Sequence, residues 1–325
     1  MKVIEHLDRA RSPLISYEII PPKRGGSIEG VMETIESVMP FQPPFIDVTS
    51  HAAEVSLEEQ PGGVFKQRIK RKRPGTIGLC AAIEHHFNID TVPHLLCHGF
   101  TRQETEDALI ELNYLGIDNV LAIRGDDTGY QKQLISGRTR NTHAVDLVTQ
   151  INDMNHGQYL EDLVDATATD FCIGVAGYPE KHFEAPNLDW DIERTKEKLD
   201  AGADYLVTQM FFRNQVYFDY VEKCREAGIT APIIPGLKIL TSKRHLNFLP
   251  RFFHTEIPEE LASEVEGVQQ EQVADVGVEW AIRQSKELLE SGAPALHFYI
   301  MQNSRVVTNV VSELTGRKEI HPAAS

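Results

Sequence analysis

Four times along this chain the same phrase returns. A helical pattern closes on a glycine, two or three small or polar residues follow, and a short apolar run begins. The instances are "LNYLGIDNVLAIRGD", "KLDAGADYLVTQMFF", "CREAGITAPIIPGL" and "LLESGAPALHFYI". Gly116, Gly202, Gly228 and Gly292 stand where each helix must end, a position that a left-handed residue caps and that glycine occupies at least steric cost. The apolar runs behind them are too short for helices and read as strands. Helix, cap and strand in steady alternation require parallel strands joined by crossover helices.

With the remaining apolar runs the strands fall near 14–20, 45–49, 92–96, 118–124, 171–176, 204–209, 232–237 and 295–300. Eight such strands predict a closed (β/α)8 TIM barrel of the α/β class. A sheet covered on both faces need not alternate polar and apolar residues. Helices are expected at 29–38, 102–115, 142–155, 188–201, 215–227, 241–253, 268–290 and 304–314. Residues 57–91 form a longer excursion before the third strand, and 127–141 a polar loop after the fourth. No Pro/Ser/Gly-rich linker interrupts the chain, so residues 1–325 read as one domain, a length one barrel can take up.

The balance of residues excludes several classes. A formal net charge of −16 disfavours a nucleic-acid partner or an anionic membrane surface, so an anionic ligand would need a local basic pocket. Cys80, Cys97, Cys172 and Cys224 contain no C-x-x-C pair, which fits reduced thiols and a cytoplasmic location. The start, "MKVIEHLDRARSPL", lacks the apolar segment of a signal peptide, and no run approaches a membrane span. The basic run "KQRIKRKR" (66–73) reads as a solvated helix face, and "EHHF" (84–87) as a surface pair in the loop before the third strand. In "PHLLCHG", Pro93 and Gly99 break any continuous helix, so His94 and His98 lack the helical two-histidine geometry and no metal is expected. With no G-x-G and no G-x-S-x-G, a nucleotide would bind through a barrel rim, and the hydrolase elbow is absent.

In such a barrel the reactive groups sit at the carboxyl ends of the strands. That filter selects Glu18, Thr49, His51, His94, Arg124, Asp126, Tyr178, Gln209, Lys238, Tyr299 and Gln302. In "SYEIIPPKRG", Glu18 lies between Tyr17 and Ile19 and ahead of Pro21 and Pro22. A carboxyl partly desolvated there would hold a proton near neutral pH; an ion pair with Arg124 is the competing reading. "AIRGDD" (122–127) has two readings as well, a guanidinium and turn set against an anion or planar ring, or an ordinary salt-bridged turn.

The segments "YEIIPPKRG", "FIDVT", "VPHLLC", "LAIRGD", "GVAGYPEKH", "DIERTKEKLDAGADYLVTQMFF", "IIPGL" and "LHFYIMQN" occur in the order found in the flavin-dependent methylenetetrahydrofolate reductases, which the chain resembles from about residue 14 to 316. The resemblance implies FAD across the strand ends, reduced by NADH or NADPH in a ping-pong hydride transfer. 5,10-methylenetetrahydrofolate would then be reduced to 5-methyltetrahydrofolate, supplying methyl groups for methionine synthesis. It implies Glu18 as the acid assisting protonation at N10, Asp126 as the carboxylate near flavin and pterin, and Gln209 as the amide that hydrogen-bonds the folate ring. The flavin contacts carry over to Thr49, His94, Arg124, Gly125, Asp126, Ala144, Tyr178, His182, Asp191 and Lys198. Arg194, one helical turn from Lys198, adds charge for the flavin phosphates.

Departures from the pattern are Arg194 and Glu197 on the helix after strand five, His143 for an aromatic hydroxyl, and Lys238 and His245 after "IIPGL". The aromatic that packs on nicotinamide or folate is Leu249 in register, or Phe248 beside it. The arginine that meets the folate glutamate tail is Asn303, with Arg305 two positions on. Barrels of this type associate, so a homo-oligomer is expected. With the chain ending at 325, inhibition by adenosylmethionine through an appended regulatory domain is not expected. Two other classes stay open: a metal-dependent hydrolase using His94, His98 and Asp126, and a non-catalytic folate- or flavin-binding protein.

Overall fold

The repeated phrase folds as it reads. The computed structural model describes residues 1–61, 63–126, 129–130, 132–301 and 304–317. Gly116, Gly202, Gly228 and Gly292 all lie in the left-handed region, at φ 75, 119, 82 and 89°. Along the chain the elements are α1 (Val3–Arg9), β1 (Leu14–Ile19), α2 (Glu29–Val38), β2 (Phe45–Val48), β3 (Glu54–Gln60), β4 (Val64–Lys70), α3 (Thr76–Phe87), β5 (Asp90–Leu96), α4 (Arg102–Leu115) and β6 (Asn119–Ile123). There follow α5 (Ala144–Asn155), β7 (Cys172–Gly177), α6 (Leu188–Asp200), β8 (Tyr205–Thr208), α7 (Asn214–Glu226), β9 (Ile233–Ile234) and β10 (Gly236–Leu237). The last are α8 (His245–Phe253), α9 (Glu259–Gly267), α10 (Val273–Glu290), β11 (Ala295–Met301) and α11 (Arg305–Thr315).

Nine strand segments pair in the order β10, β11, β1, β2, β5, β6, β7, β8, β9, all parallel. β9 and β10 are two halves of one strand interrupted at Pro235, so the barrel closes through that residue. Ile233 and Ile234 pair with β8, while Gly236 and Leu237 pair with β11. Proline has no N–H to give to a ladder, but its carbonyl still accepts from His297 N at 3.0 Å. The (β/α)8 barrel expected from the sequence is therefore the architecture observed.

Side-chain alternation builds the interior in layers. Phe45, Val92, Leu121, Cys172, Tyr205, Val207, Ile234 and Ala295 form an apolar floor, closed from below by Val3 of α1 with Ile4 and Leu7 packed against it. Val3 N donates to Asn119 Oδ1 at 2.8 Å, which pins α1 under the barrel. Each aromatic or branched side chain buried there contributes roughly 1.5–3 kcal/mol. Two residues further along their strands the same inward faces turn polar: Ser16, Asp47, His94 and His297 are all buried. A second, larger apolar core lies between the sheet and the surrounding helices.

Several local expectations are corrected. The excursion 57–91 holds two regular units. β3 and β4 make an antiparallel hairpin, so "KQRIKRKR" is mostly an exposed strand and not a helix face. "EHHF" ends α3 and is not loop. The register leaves Glu54, Ser56 and Glu58 with Lys66, Arg68 and Lys70 on one face of the hairpin, and Val55, Leu57, Phe65 and Ile69 on the other. Glu58 accordingly pairs with Arg68 at 2.8 Å and Lys70 at 2.5 Å. The helices expected at 142–155, 241–253 and 268–290 begin two to five residues later, and α1 and α9 were not foreseen.

Candidate active site

Glu18 stands near the end of β1, opposite Asp47 on β2 and Tyr299 on β11. A β-bulge follows it, since Ile19 pairs with Met301, which takes a left-handed φ of 62°. Bulges of this kind re-aim strand ends beside functional sites. His94 lies one layer below the rim inside the barrel. Its Nε2 is 3.6 Å from Glu18 Oε2 and 3.4 Å from Asp47 Oδ2. On the far side of Asp47, His297 Nδ1 shares a 2.8 Å hydrogen bond with Ser16 Oγ.

Burial governs the charges here. It pushes the Glu18 carboxyl up to about 7, with His94 and Lys238 opposing and Asp47 reinforcing. It pushes Asp47 up to about 6, against the pull of His297. Burial also holds both imidazoles below their ordinary range, with Glu18 opposing at His94 and Asp47 at His297. Lys238, at the top of β10, is pushed down to about 8 by burial, with Glu18 pulling the other way; its Nζ donates to Tyr299 O at 2.6 Å. The competing sequence reading, Glu18 paired with Arg124, is not what forms. Arg124 Nη1 donates instead to Glu184 Oε2 at 2.6 Å.

A second group gathers over β6, β7 and α6. Tyr178 meets the His182 ring edge-on at 4.8 Å, and His182 N donates to Asp191 Oδ2 at 2.9 Å. Lys198, on the same helix as Asp191, donates from Nζ to Ala176 O at 2.6 Å. Burial pushes its ammonium down to about 8, with Asp191 the largest opposing influence. Arg194 is turned along the helix toward Glu197 at 2.5 Å and lies over the Trp190 ring at 5.0 Å. Gly125 has φ 82°, and a Cβ there would press on Leu96 at 3.3 Å. Ala144 opens α5. Thr49 Oγ1 is 3.1 Å from His51 Nε2. Asp126 is exposed, and its carbonyl lies 3.2 Å from His98 Nδ1.

Gln209 Oε1 accepts from Met210 N at 2.8 Å, which fixes the carboxamide and leaves its amide hydrogens with no acceptor among the described residues. Leu249 is a core residue at 2% exposure, whereas Phe248 beside it on α8 is only partly buried and lies against Phe252 at 4.5 Å. Arg305 opens α11 on the exposed surface. Gln302 and Asn303 lie outside the described residues. Asp47 and His297 escaped the sequence reading. Their only signal is a polar letter inside "FIDVT" and "ALHFYI", strands otherwise apolar because both faces are covered.

The residues present fit an FAD. Lys198 is a largely desolvated cation whose one hydrogen bond among the described residues goes to a carbonyl, an arrangement an anionic phosphate would relieve.

The family model described as methylenetetrahydrofolate reductase matches residues 2–315. Methylenetetrahydrofolate reductase 1 of Schizosaccharomyces pombe is 30% identical over 315 residues, 95% of this chain and 47% of its own length. The 5,10-methylenetetrahydrofolate reductase of Pectobacterium carotovorum is 24% identical over 308 residues, covering 94% of this chain and 91% of its own. Names of plant and nematode relatives specify NADH and NADPH respectively. The chain spans about half the length of the first relatives it matches. A Clostridium thermocellum protein described as binding two copies of 5-methyl-5,6,7,8-tetrahydrofolic acid superposes with a TM-score of 0.58 at 14% identity, over 95% of this chain and 96% of that one, a likeness of fold.

Proposed function

Since the chain belongs to the methylenetetrahydrofolate reductase family, we propose that it reduces 5,10-methylenetetrahydrofolate to 5-methyltetrahydrofolate with electrons from NAD(P)H, using FAD in two half-reactions that share one site. The observation that carries this reading is Glu18, a largely buried carboxyl at a barrel rim, beside His94 and Asp47, whose ionisation burial pushes up to about 7. Opening the folate's five-membered ring needs a proton at N10, and an acid that keeps its proton at neutral pH can give one. When bound, FAD supplies the two-electron carrier between nicotinamide and folate.

The chain's own residues do the rest. Lys198, with Arg194 one turn away, would meet the phosphates, and Thr49, His94, Arg124, Gly125, Ala144, Tyr178, His182 and Asp191 would hold the remaining parts of the cofactor. Asp126 places a carboxylate by the rim, where it favours cationic folate species. Gln209, its amide oriented by Met210, is left two donors for a pterin. Phe248 offers a ring face to nicotinamide or folate, and Arg305 a cation to the glutamate tail.

The same reading extends to a single-domain enzyme, 1–325, that acts as a homo-oligomer in the cytoplasm and feeds methionine synthesis. Four buried, unpaired cysteines support a reducing compartment. The exposed apolar face of the β3–β4 hairpin supports association, with Leu57 66%, Phe65 61% and Ile69 61% exposed. No helix among the described residues is long and apolar enough to cross a membrane.

The test is an absorption spectrum of the purified protein, followed by anaerobic NADH or NADPH and then methylenetetrahydrofolate. A flavin band that bleaches with the dinucleotide and returns with the folate is the expected result. A protein that stays colourless after incubation with FAD overturns the proposal.

A further inference from the structure

His94 presents a single nitrogen to two carboxyl groups. Nε2 lies 3.4 Å from Asp47 Oδ2 and 3.6 Å from Glu18 Oε2, and no hydrogen bond is formed to either. Both Asp47 oxygens are buried and without a hydrogen-bond partner as well. Unpaired polar atoms at this depth are costly, so the one proton a neutral imidazole can place on Nε2 is contested by two acceptors. Which carboxyl receives it decides what Glu18 does. A donor turned to Glu18 stabilises its carboxylate; a donor turned to Asp47 leaves Glu18 without one on that side.

We propose that Asp47 is a positioning residue for Glu18: it draws the Nε2 proton of a neutral His94 toward itself, and so keeps Glu18 in the protonated form that can give a proton to the folate. The inference rests on the reading of Glu18 as the acid.

The surroundings agree with it. Lys238 and Tyr299 face Glu18 from β10 and β11; Lys238 gives its hydrogen bond to the Tyr299 carbonyl and Tyr299 gives its hydroxyl to Thr208 O at 2.5 Å, so neither hydrogen bond goes to Glu18. Asp47 is faced by His297, whose Nδ1 is taken up with Ser16, and by the Tyr205 hydroxyl and the Cys80 thiol, both of which burial keeps neutral. Of the groups around the two carboxyls, His94 is the one that touches both.

The experiment substitutes Asp47→Leu, close in volume and unable to hydrogen-bond, and follows the folate half-reaction of the flavin-loaded enzyme by stopped flow from pH 5 to 9. With Asp47 gone, the His94 proton has only Glu18 to go to, and the Glu18 ionisation moves down by about one unit. The variant's rate at pH 8 then falls about tenfold relative to the unsubstituted enzyme, while the two rates converge near pH 5. Reduction of the flavin by NADH or NADPH keeps its pH profile. A uniform loss at every pH, or an unmoved alkaline limb, overturns the proposal. A measurement on the unsubstituted protein needs no variant to fold: with 15N-labelled histidine, His94 must appear at pH 7 as a neutral ring protonated on Nε2. A ring protonated on Nδ1 alone, or charged, overturns it equally. Glu18→Gln separates the inference from its premise. If that variant still reduces folate at full rate, Glu18 is not the acid, whatever Asp47 does.

Discussion

Lys198 is the most exacting test of the charge arrangement, because the same side chain should weaken the empty protein and hold its cofactor. Its ammonium is pushed from 10.5 down to about 8 by burial. A difference of about 2.5 units corresponds to about 3 kcal/mol that the folded, cofactor-free protein forgoes when Lys198 is charged. In Lys198→Met the cost disappears together with the bond to Ala176 O, worth about 1 kcal/mol, which leaves a net gain of about 2 kcal/mol. For a chain of this size that is a rise of roughly 3 °C in Tm at pH 7.

The sign follows from proton counting. Folded Lys198 loses its proton near pH 8 and the unfolded chain near 10.5, so between them the unfolded state binds more protons and the unsubstituted protein gains stability as pH rises. The variant's advantage is therefore full below pH 8 and gone above about pH 10.5. Thermal melts of flavin-free protein at pH 7 and pH 10.5 measure it, and titration with FAD should show affinity weakened at least tenfold. If the methionine variant melts no higher at pH 7, or keeps its advantage at pH 10.5, the reasoning is refuted.

Glu18→Gln should leave flavin reduction by NADH intact and slow folate reduction by about 100- to 10,000-fold, read by stopped-flow absorbance; equal loss of both steps would exclude an acid's role. The unsubstituted folate half-reaction should decline above about pH 7, where Glu18 loses its proton. In stability, the raised ionisation of Glu18 has the opposite sign from that of Lys198: its cost is absent below pH 4.5 and full above about 7, so Glu18→Gln should gain up to about 3 kcal/mol at pH 8 and nothing at pH 4, by chemical denaturation. Gly236→Ala should destabilise by about 3 kcal/mol or more, because a Cβ there collides with the Thr208 carbonyl and the Tyr299 ring; an unchanged melting curve would contradict the geometry. Leu57→Ser with Phe65→Ser should shift stability by less than about 0.5 kcal/mol while reducing dye binding to exposed apolar surface.

What could be read in advance follows the physics of each segment. α2 and α4 have the predicted bounds, and at α4 local signals mark both ends: Thr101 and Glu104 cap each other at its start, with Glu104 N to Thr101 Oγ1 at 3.2 Å and Thr101 N to Glu104 Oε2 at 2.8 Å, and Gly116 closes it. The β3–β4 hairpin was hidden by its own charges. Lys66, Arg68 and Lys70 alternating with Phe65, Gln67 and Ile69 is a strand pattern, yet the density of cations reads as a solvated helix. At the rim, Glu18 was legible as a candidate because a carboxylate closes an apolar strand there, although an ion pair with Arg124 explained it equally well until Arg124 was seen on Glu184. Asp47 and His297 were not, since their significance lies in meeting inside the barrel from the two strands that flank β1, a relation that no local spacing records.

The interruption at Pro235 has a mechanical consequence. Each flank of that strand is stitched to its neighbour through only two residues, while β1 runs against β11 for six. A closed cylinder under thermal load parts first along its shortest hem, so the amide hydrogens of Ile233, Ile234, Gly236 and Leu237 should exchange before those of the other staves. The same hem carries Lys238 at its upper edge and Tyr299 across it. Loosening there would shift the Lys238 ammonium relative to Glu18, whose raised ionisation it opposes, while the apolar floor beneath stays packed.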